Sequence, residues 1–229
     1  MAHEGAASRD GRQPVRLAWL ARLFGAAMAV YLRVVARTCR VVGPVGREQA
    51  VLAFWHEGNM CAFVTARKVR GDLPHASFST QGFRGAVVSS MLERSGTPMR
   101  IFELPPEGDR VAGRAFAIRM ARLAERGFSL IVTPDGPFGP AHLAKPGTLI
   151  VARESGLPVV PWSLSVRPAI RLTGRWDRQY LPLPFCRIGV RVAEPIRIGP
   201  REPIKPRLAE LQAGLDGISA GRDASTSPR

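Results

Sequence analysis

Val51-Leu52-Ala53-Phe54-Trp55-His56-Glu57 and Phe128-Ser129-Leu130-Ile131-Val132-Thr133-Pro134-Asp135-Gly136 decide the reading of this chain. In each, an apolar run of strand length stops at polar or turn-forming residues. Short apolar runs of this kind suit strands covered on both faces, as in parallel sheets flanked by helices. In open α/β sheets the crevice beyond the carboxyl ends of the strands is where ligands bind. Two polar segments at two such ends therefore predict one shared site, with His56 available as a base.

Working outward, strand and helix patterns alternate. Gly58 to Val69 reads as a helix, Ala76–Ser79 as a strand and Arg84 to Arg94 as a helix ended by Ser95-Gly96. Met99–Leu104 is a strand, followed by a turn at Pro105-Pro106-Glu107-Gly108. Val111 to Glu125 has helical spacing and stops at Gly127, a left-handed cap. After the Asp135 loop, Gly147 to Ser155 is a short helix capped by Gly156. Leu157–Leu164 is apolar but carries Pro158 and Pro161, which suits a strand start or an edge. A strand near Ile188–Val192 closes the pattern. The alternation predicts one α/β domain over residues 44–202 with a largely parallel central sheet.

Before it, residues 1–13 read as a flexible leader and 14–43 as an amphipathic helix. That helix carries Leu17, Leu20, Phe24, Met28, Tyr31 and Val35 at helical spacing, with arginines at 16, 22, 33, 37 and 40. Its longest uncharged stretch, Leu23 to Leu32, is about half of what a bilayer-spanning helix needs. The expectation is a helix that does not span, and that lies in a membrane interface with snorkelling arginines, packs on the domain, or does both. No signal-peptide layout is expected. Residues 203–219 predict a C-terminal helix and 220–229 a disordered tail.

The hydrophobic fraction of 45% against 22% charged residues is that of a globular chain and excludes a disordered one. The outlier is a net charge of +15. Of 33 basic residues only Lys68, Lys145 and Lys205 are lysines, so the excess is nearly all arginine. A field of this sign favours polyanions, whether anionic lipid or nucleic acid. The aromatics sit mostly in apolar runs rather than interleaved with basic residues, which argues against nucleic acid. Cys39, Cys61 and Cys186 are odd in number and scattered, which argues against a disulfide framework and fits a reducing compartment.

Of the four histidines, His3 lies in the leader, His75 reads as a loop residue, and His142 stands close to the Asp135 loop. His56 directly follows a hydrophobic strand, and imidazole is the usual side chain for taking a proton from a hydroxyl near neutral pH. His56-Glu57-Gly58-Asn59-Met60 lacks the second histidine of a zinc-protease motif, so no metal is expected. The Asp135 loop is stiffened by prolines and opened by Gly136 and Gly139 to close ligand approach. Asp135 either caps backbone amides or orients the histidine. Arg84, in the glycine-flanked Gln81-Gly82-Phe83-Arg84-Gly85, together with Arg100 and Lys145, are candidates for holding a phosphate in the same crevice.

These residues resemble a sparsely characterised bacterial branch of the lysophospholipid acyltransferase-like superfamily. The likeness rests on Phe54-Trp55-His56, Pro-Asp-Gly-Pro-x-Gly-Pro at 134–140, Lys-Pro-Gly at 145–147 and Gly-Leu-Pro-Val-Val-Pro at 156–161. It continues with Trp-Asp-Arg at 176–178 and Leu-Pro-Leu-Pro-Phe at 181–185, and covers roughly residues 45–198. The resemblance implies a single-domain glycerolphosphate-acyltransferase-like sandwich. It also implies a His-x4-Asp dyad whose histidine acts as general base on an acceptor hydroxyl. His56 matches the histidine, but Cys61 stands where the aspartate would be, leaving Glu57 and Asp135 as carboxylates for the orienting role. The superfamily's phosphate-binding block maps loosely onto Gly96 to Arg100, without the expected arginine-glycine-serine run. Asp135 occupies the place of its Glu-Gly block, and Pro158 or Pro161 matches its last one.

The function so implied is transfer of a fatty acyl group to a hydroxyl of a lysophospholipid or related lipid acceptor at a membrane surface. Catalytic roles fall to His56, Asp135 and Glu57, and substrate contacts to Arg84, Arg100, Gly136 and Lys145. No bound cofactor is expected; an acyl thioester of coenzyme A or acyl carrier protein is the co-substrate. The partners are then the membrane lipid surface and the donor carrier, and the location is peripheral on the cytoplasmic face of the inner membrane. The alternative is a catalytically impaired lipid-binding or accessory protein on the same fold.

Overall fold

A computed structural model describes residues 15–105 and 109–224. The Pro105–Gly108 turn therefore lies partly outside the described residues, as do the leader and the last five residues. The chain is α/β, with six α-helices and a seven-stranded sheet among the described residues. In chain order the elements are α1 (Val15–Thr38), β1 (Arg40–Val42), β2 (Val51–Ala53), α2 (Asn59–Arg70), β3 (His75–Ser79), α3 (Gly82–Glu93), β4 (Met99–Glu103) and α4 (Arg110–Glu125). They continue with β5 (Ser129–Val132), α5 (Gly147–Ser155), β6 (Val159–Arg171), β7 (Tyr180–Val192) and α6 (Ile204–Ala224).

The strand order is β1-β7-β6-β2-β5-β3-β4. Strands β6, β2, β5, β3 and β4 run parallel, while β7 pairs antiparallel with β6 and β1 parallel with β7. Central β2 and β5 are buried along almost their whole length, which is why their sequences read as continuous apolar runs. One core fills the layer between the sheet and α1, α2 and α3, around Phe54, Phe63, Met91, Leu92 and Trp162. The other lies under α4, α5 and α6, around Trp55, Met120, Leu130, Leu149 and Leu215.

Several expectations are corrected. The N-terminal helix ends at Thr38 and a short strand, β1, follows it directly. Strands β6 and β7 are each 13 residues long, well beyond the segments read as strand. Strand β6 is interior, not an edge, but Pro158 directly precedes it and Pro161 is its third residue, so of the two expected placements the strand start holds; the β7 ladder begins only at Trp162, past the missing N–H. The last helix continues to Ala224, past the expected end at 219. The left-handed caps at Gly127 (φ 84) and Gly156 (φ 68) are as expected.

By length and composition Leu17–Thr38 suffices to cross a membrane, a property shared by core helices and signal sequences. Its longest uncharged stretch, taken alone, points the other way. One face of α1 is nonetheless part of the domain, with Ala21, Ala29, Leu32, Val35 and Ala36 buried. Its Tyr31 hydroxyl donates to the Pro182 carbonyl at 2.8 Å.

His75 is not a loop residue. It opens β3 with no exposed surface and accepts from Arg70 Nε at 3.3 Å. Arg70, itself buried, also donates to the Gly46 and Glu48 carbonyls and to Ser129 Oγ. Burial first, and the Arg70 charge second, hold the His75 imidazole down to about 4. The folded state therefore keeps a neutral ring where the unfolded chain binds a proton below about pH 6.5. Stability is expected to fall as pH drops from about 6.5 towards 4, by about 3 kcal/mol in all, because the unfolded state gains the proton. Urea midpoints measured across this range in wild type and His75→Gln check it; an equal slope in both would refute the assignment.

Candidate active site

The carboxyl ends of β2 and β5 lie side by side, because Ala53 pairs with Val132. The chain leaves β2 through Phe54 and Trp55 into a 3-10 turn at His56–Gly58 that opens α2. It leaves β5 into the proline-rich loop. Asp135, 1% exposed, reaches across and accepts from the His56 backbone N–H at 3.1 and 3.3 Å. The same carboxylate accepts from the His142 N–H at 3.4 Å. Burial raises the Asp135 pKa, against the lowering effect of His56 and of the N–H groups it accepts from. The two sequence signals are thus joined through the backbone.

The ring of His56 has a different partner. Its Nδ1 lies 2.7 Å from Oδ2 of Asp177, a side chain with no exposed surface. Asp177 belongs to the turn between β6 and β7. Strand β6 runs on from Pro161, its last pairing with β2, to Arg171, and so carries this turn over His56. Arg175 grips the carboxylate with both branches, Nε to Oδ1 and Nη2 to Oδ2, each at 2.9 Å. Burial alone would raise the Asp177 pKa; the bonds from His56 and Arg175 outweigh it and hold the carboxyl well below the usual range. Trp176 packs on the His56 ring at 5.2 Å between centroids. It also rests against Gly139, where an added Cβ would meet the indole at 2.7 Å, and where φ is +74. Gln179 Nε2 reaches the His56 carbonyl at 3.5 Å.

Of the two roles open to Asp135, the structure shows the capping of backbone amides, at His56 and His142, while the ring of His56 turns to Asp177. Glu57 is buried under other neighbours: His142 Nε2 lies 3.4 Å and Arg171 Nη2 3.7 Å from its carboxylate. The position expected to carry an aspartate holds Cys61, fully buried in the core of the helical layer. The orienting carboxylate comes instead from a turn 121 residues along the chain.

The proposed phosphate holders divide. Lys145 lies over Gly136, its Nζ 3.4 Å from where a Cβ would stand, and its N–H donates to the Pro134 carbonyl, so both belong to the Asp135 loop. Arg84 is exposed on the first turn of α3, at the carboxyl end of β3, two strands from β2. Arg100 does not line the crevice. It is exposed near the start of β4, the edge strand, three inter-strand spacings or about 14 Å from β2, and stacks over Phe128 at the opposite end of the sheet.

The sequence reading missed Asp177, Arg175 and Trp176 as site residues, although Trp-Asp-Arg at 176–178 stood among the motifs of the resemblance. Among the described residues no group of three or more His, Cys, Asp or Glu side chains is arranged to hold a metal ion. Chemically, the arrangement can take a proton. With Nδ1–H assigned as donor to Asp177, Nε2 is left as an acceptor, and the carboxylate stabilises the imidazolium that forms.

No protein-family model matches the chain. It is similar to an uncharacterized protein of Rickettsia prowazekii (strain Madrid E), 28% identical over 154 residues. That alignment covers 66% of this chain and 66% of the relative, whose name states no activity.

Proposed function

We propose that the chain is an acyltransferase, moving a fatty acyl group from a coenzyme A or acyl carrier protein thioester to a hydroxyl of a lysophospholipid or related lipid. The observation that carries this reading is the His56–Asp177 pair, a histidine base with a buried, arginine-held carboxylate at the carboxyl end of a central strand. It supplies the dyad that the resemblance calls for and that Cys61 breaks. The sheet and its flanking helices are read accordingly as a glycerolphosphate-acyltransferase-like sandwich, working from the cytoplasmic face of the inner membrane.

In this mechanism His56 Nε2 removes the acceptor hydroxyl proton as the oxygen attacks the thioester carbonyl. The C–O bond forms, the C–S bond breaks, and the leaving thiolate takes the proton back from the imidazolium. Asp177 keeps Nδ1 protonated and balances the transient positive charge. Lys145, over Gly136, and Arg84 are the cations left to meet the acceptor phosphate. A positioned base of this kind contributes roughly 10²–10⁴-fold in rate.

A second reading, lipid binding without turnover, is favoured by Cys61, which leaves no carboxylate one helical turn from His56. The deciding experiment measures thiol release from acyl-coenzyme A and acyl carrier protein donors on liposomes seeded with lysophospholipid. Release that needs both the acceptor and His56, and is lost in His56→Ala, is expected. Equal release by His56→Ala would sink the mechanism, and no release from any donor would favour the binding protein.

A further inference from the structure

Helix α1 buries one face and leaves another apolar face uncovered. Trp19, Leu23, Val30 and Val34 are 54%, 57%, 52% and 45% exposed. Their spacing of four, seven and four residues puts them in one stripe along the helix. Phe24, 61% exposed, flanks it. Where α1 ends, Thr38 Oγ1 accepts from the backbone N–H of Phe185, whose own side chain is 81% exposed. A helix of 24 residues is about 36 Å long, so the stripe is a long apolar surface rather than a scatter of single residues.

The charge beside it is of one sign. Helices α1 and α2 contain no acidic residue. On a helical projection Arg22, Arg33 and Arg37 run along one border of the stripe. Arg33 lines an apolar cleft between α1, α2 and α3 together with Arg67 of α2. Among the described residues none of Arg22, Arg33, Arg37 and Arg67 forms an ion pair with a carboxylate. Burial, then the charges of Arg33 and Arg37, depress the Arg67 pKa, as expected of cations gathered without a counter-charge.

We propose that this face lies flat on an anionic phospholipid bilayer, with Trp19, Leu23, Val30 and Val34 entering the headgroup–acyl boundary while Arg33, Arg37 and Arg67 hold a lipid phosphate. Aliphatic side chains have nothing to gain on a nucleic-acid backbone, and an acid-free surface repels a second copy of itself. A bilayer with anionic headgroups satisfies both halves of the patch at once. The helix lies on the surface and does not cross it, because spanning would strip Ala29, Leu32 and Val35 from the core. The choice of lipid as occupant agrees with the acyl-transfer reading but is tested without it.

The test is co-sedimentation of the full chain with vesicles of phosphatidylcholine alone or mixed with phosphatidylglycerol, followed by alkaline carbonate extraction. Binding only to the anionic vesicles, released by carbonate, is expected. Each arginine near the surface is worth about a fivefold change in partitioning, so Arg33→Gln/Arg37→Gln is expected to weaken binding about 25-fold. Trp19→Ser/Leu23→Ser, with unchanged circular dichroism, is expected to abolish it. Equal binding to neutral vesicles, resistance to carbonate, indifference to both double variants, or stripe-dependent dimers without lipid would each overturn the proposal. Thiol release from short-chain, water-soluble substrates is expected to be unchanged in both variants. If no substrate turns over, the vesicle result still stands alone.

Discussion

Asp177→Asn is expected to lower acyl-transfer turnover by about 10²–10⁴-fold while leaving the acceptor KM within a few-fold. The carboxylate has two tasks, and asparagine fails at both. It accepts at 2.7 Å from His56 Nδ1, which fixes the tautomer with Nε2 as the proton acceptor. An amide that turns its NH2 towards the ring reverses the tautomer and removes the base. Even in the better orientation, asparagine brings no charge to stabilise the imidazolium. Arg175 would then be left without its two bonds to a carboxylate, so the turn itself loosens. Because His56 and Asp177 act as a unit, His56→Ala/Asp177→Asn is expected to be no slower than His56→Ala alone. Steady-state kinetics on the three variants decide this. Additive losses would mean that Asp177 supports the fold and not the base.

The low pKa of Asp177 gives this prediction a pH signature. A carboxyl held below its ordinary value stays ionised through the mildly acidic range, and its stabilising effect is present above the unfolded value near 3.8. Protonation of Asp177 therefore contributes nothing to activity changes above about pH 5. Any acid limb found there belongs to other groups.

The division between what the sequence betrays and what it hides follows from distance along the chain. Strands β2 and β5 are legible because burial on both faces demands uninterrupted apolar residues, and β3 and β4 because Pro74, Gly82, Pro98 and Pro105 bound their short runs; Gly127 and Gly156 mark helix ends by a conformation few other residues adopt. Strand β1 is hidden: Arg40-Val41-Val42 follows α1 without a turn signal and becomes a strand only by pairing with β7. The outer halves of β6 and β7 are hidden for the same reason, since they are half-exposed and stabilise each other across the hairpin.

At the site, His56 and Asp135 are legible because each interrupts an apolar run. Their relation is not, because it depends on which atoms meet across adjacent strand ends. Asp177 is the harder case. Its role is set by the length of β6 beyond β2, a register property that local composition does not encode. One signal is present: Trp176 and Asp177 stand together between Arg175 and Arg178, in a turn otherwise built for solvent. Cys186 offers a similar lesson. It precedes Arg187, which pairs with Arg40, so it comes beside Cys39 although the two are far apart in sequence. Both thiols are buried and raised in pKa, first by desolvation, which keeps them unreactive.

Asp135→Ala is expected to cost about 2–4 kcal/mol of stability and to abolish turnover, a larger structural effect than any other single change at the site. Asp135 is 1% exposed, and its two oxygens accept from the N–H groups of His56 and His142. Alanine leaves both donors without this acceptor in a place with little access to water, and unsatisfied buried donors are more costly than the net value of the bonds they lose. The loss also frees the 3-10 turn that presents the His56 ring to Asp177, so geometry and stability fail together. Asp135→Asn separates the two effects. An amide oxygen can still accept from His56, and it avoids the desolvation that raises the Asp135 pKa. The asparagine variant is therefore expected to lose less than about 1.5 kcal/mol, the value of one neutral hydrogen bond, and to keep measurable turnover. Its turnover should still fall below wild type, since a neutral amide oxygen holds the His56 N–H less firmly than a carboxylate does. Urea denaturation of both variants, with thiol release measured on the same samples, tests the argument. Equal destabilisation by alanine and asparagine would show that the charge, and not the acceptor, holds the two strand ends together.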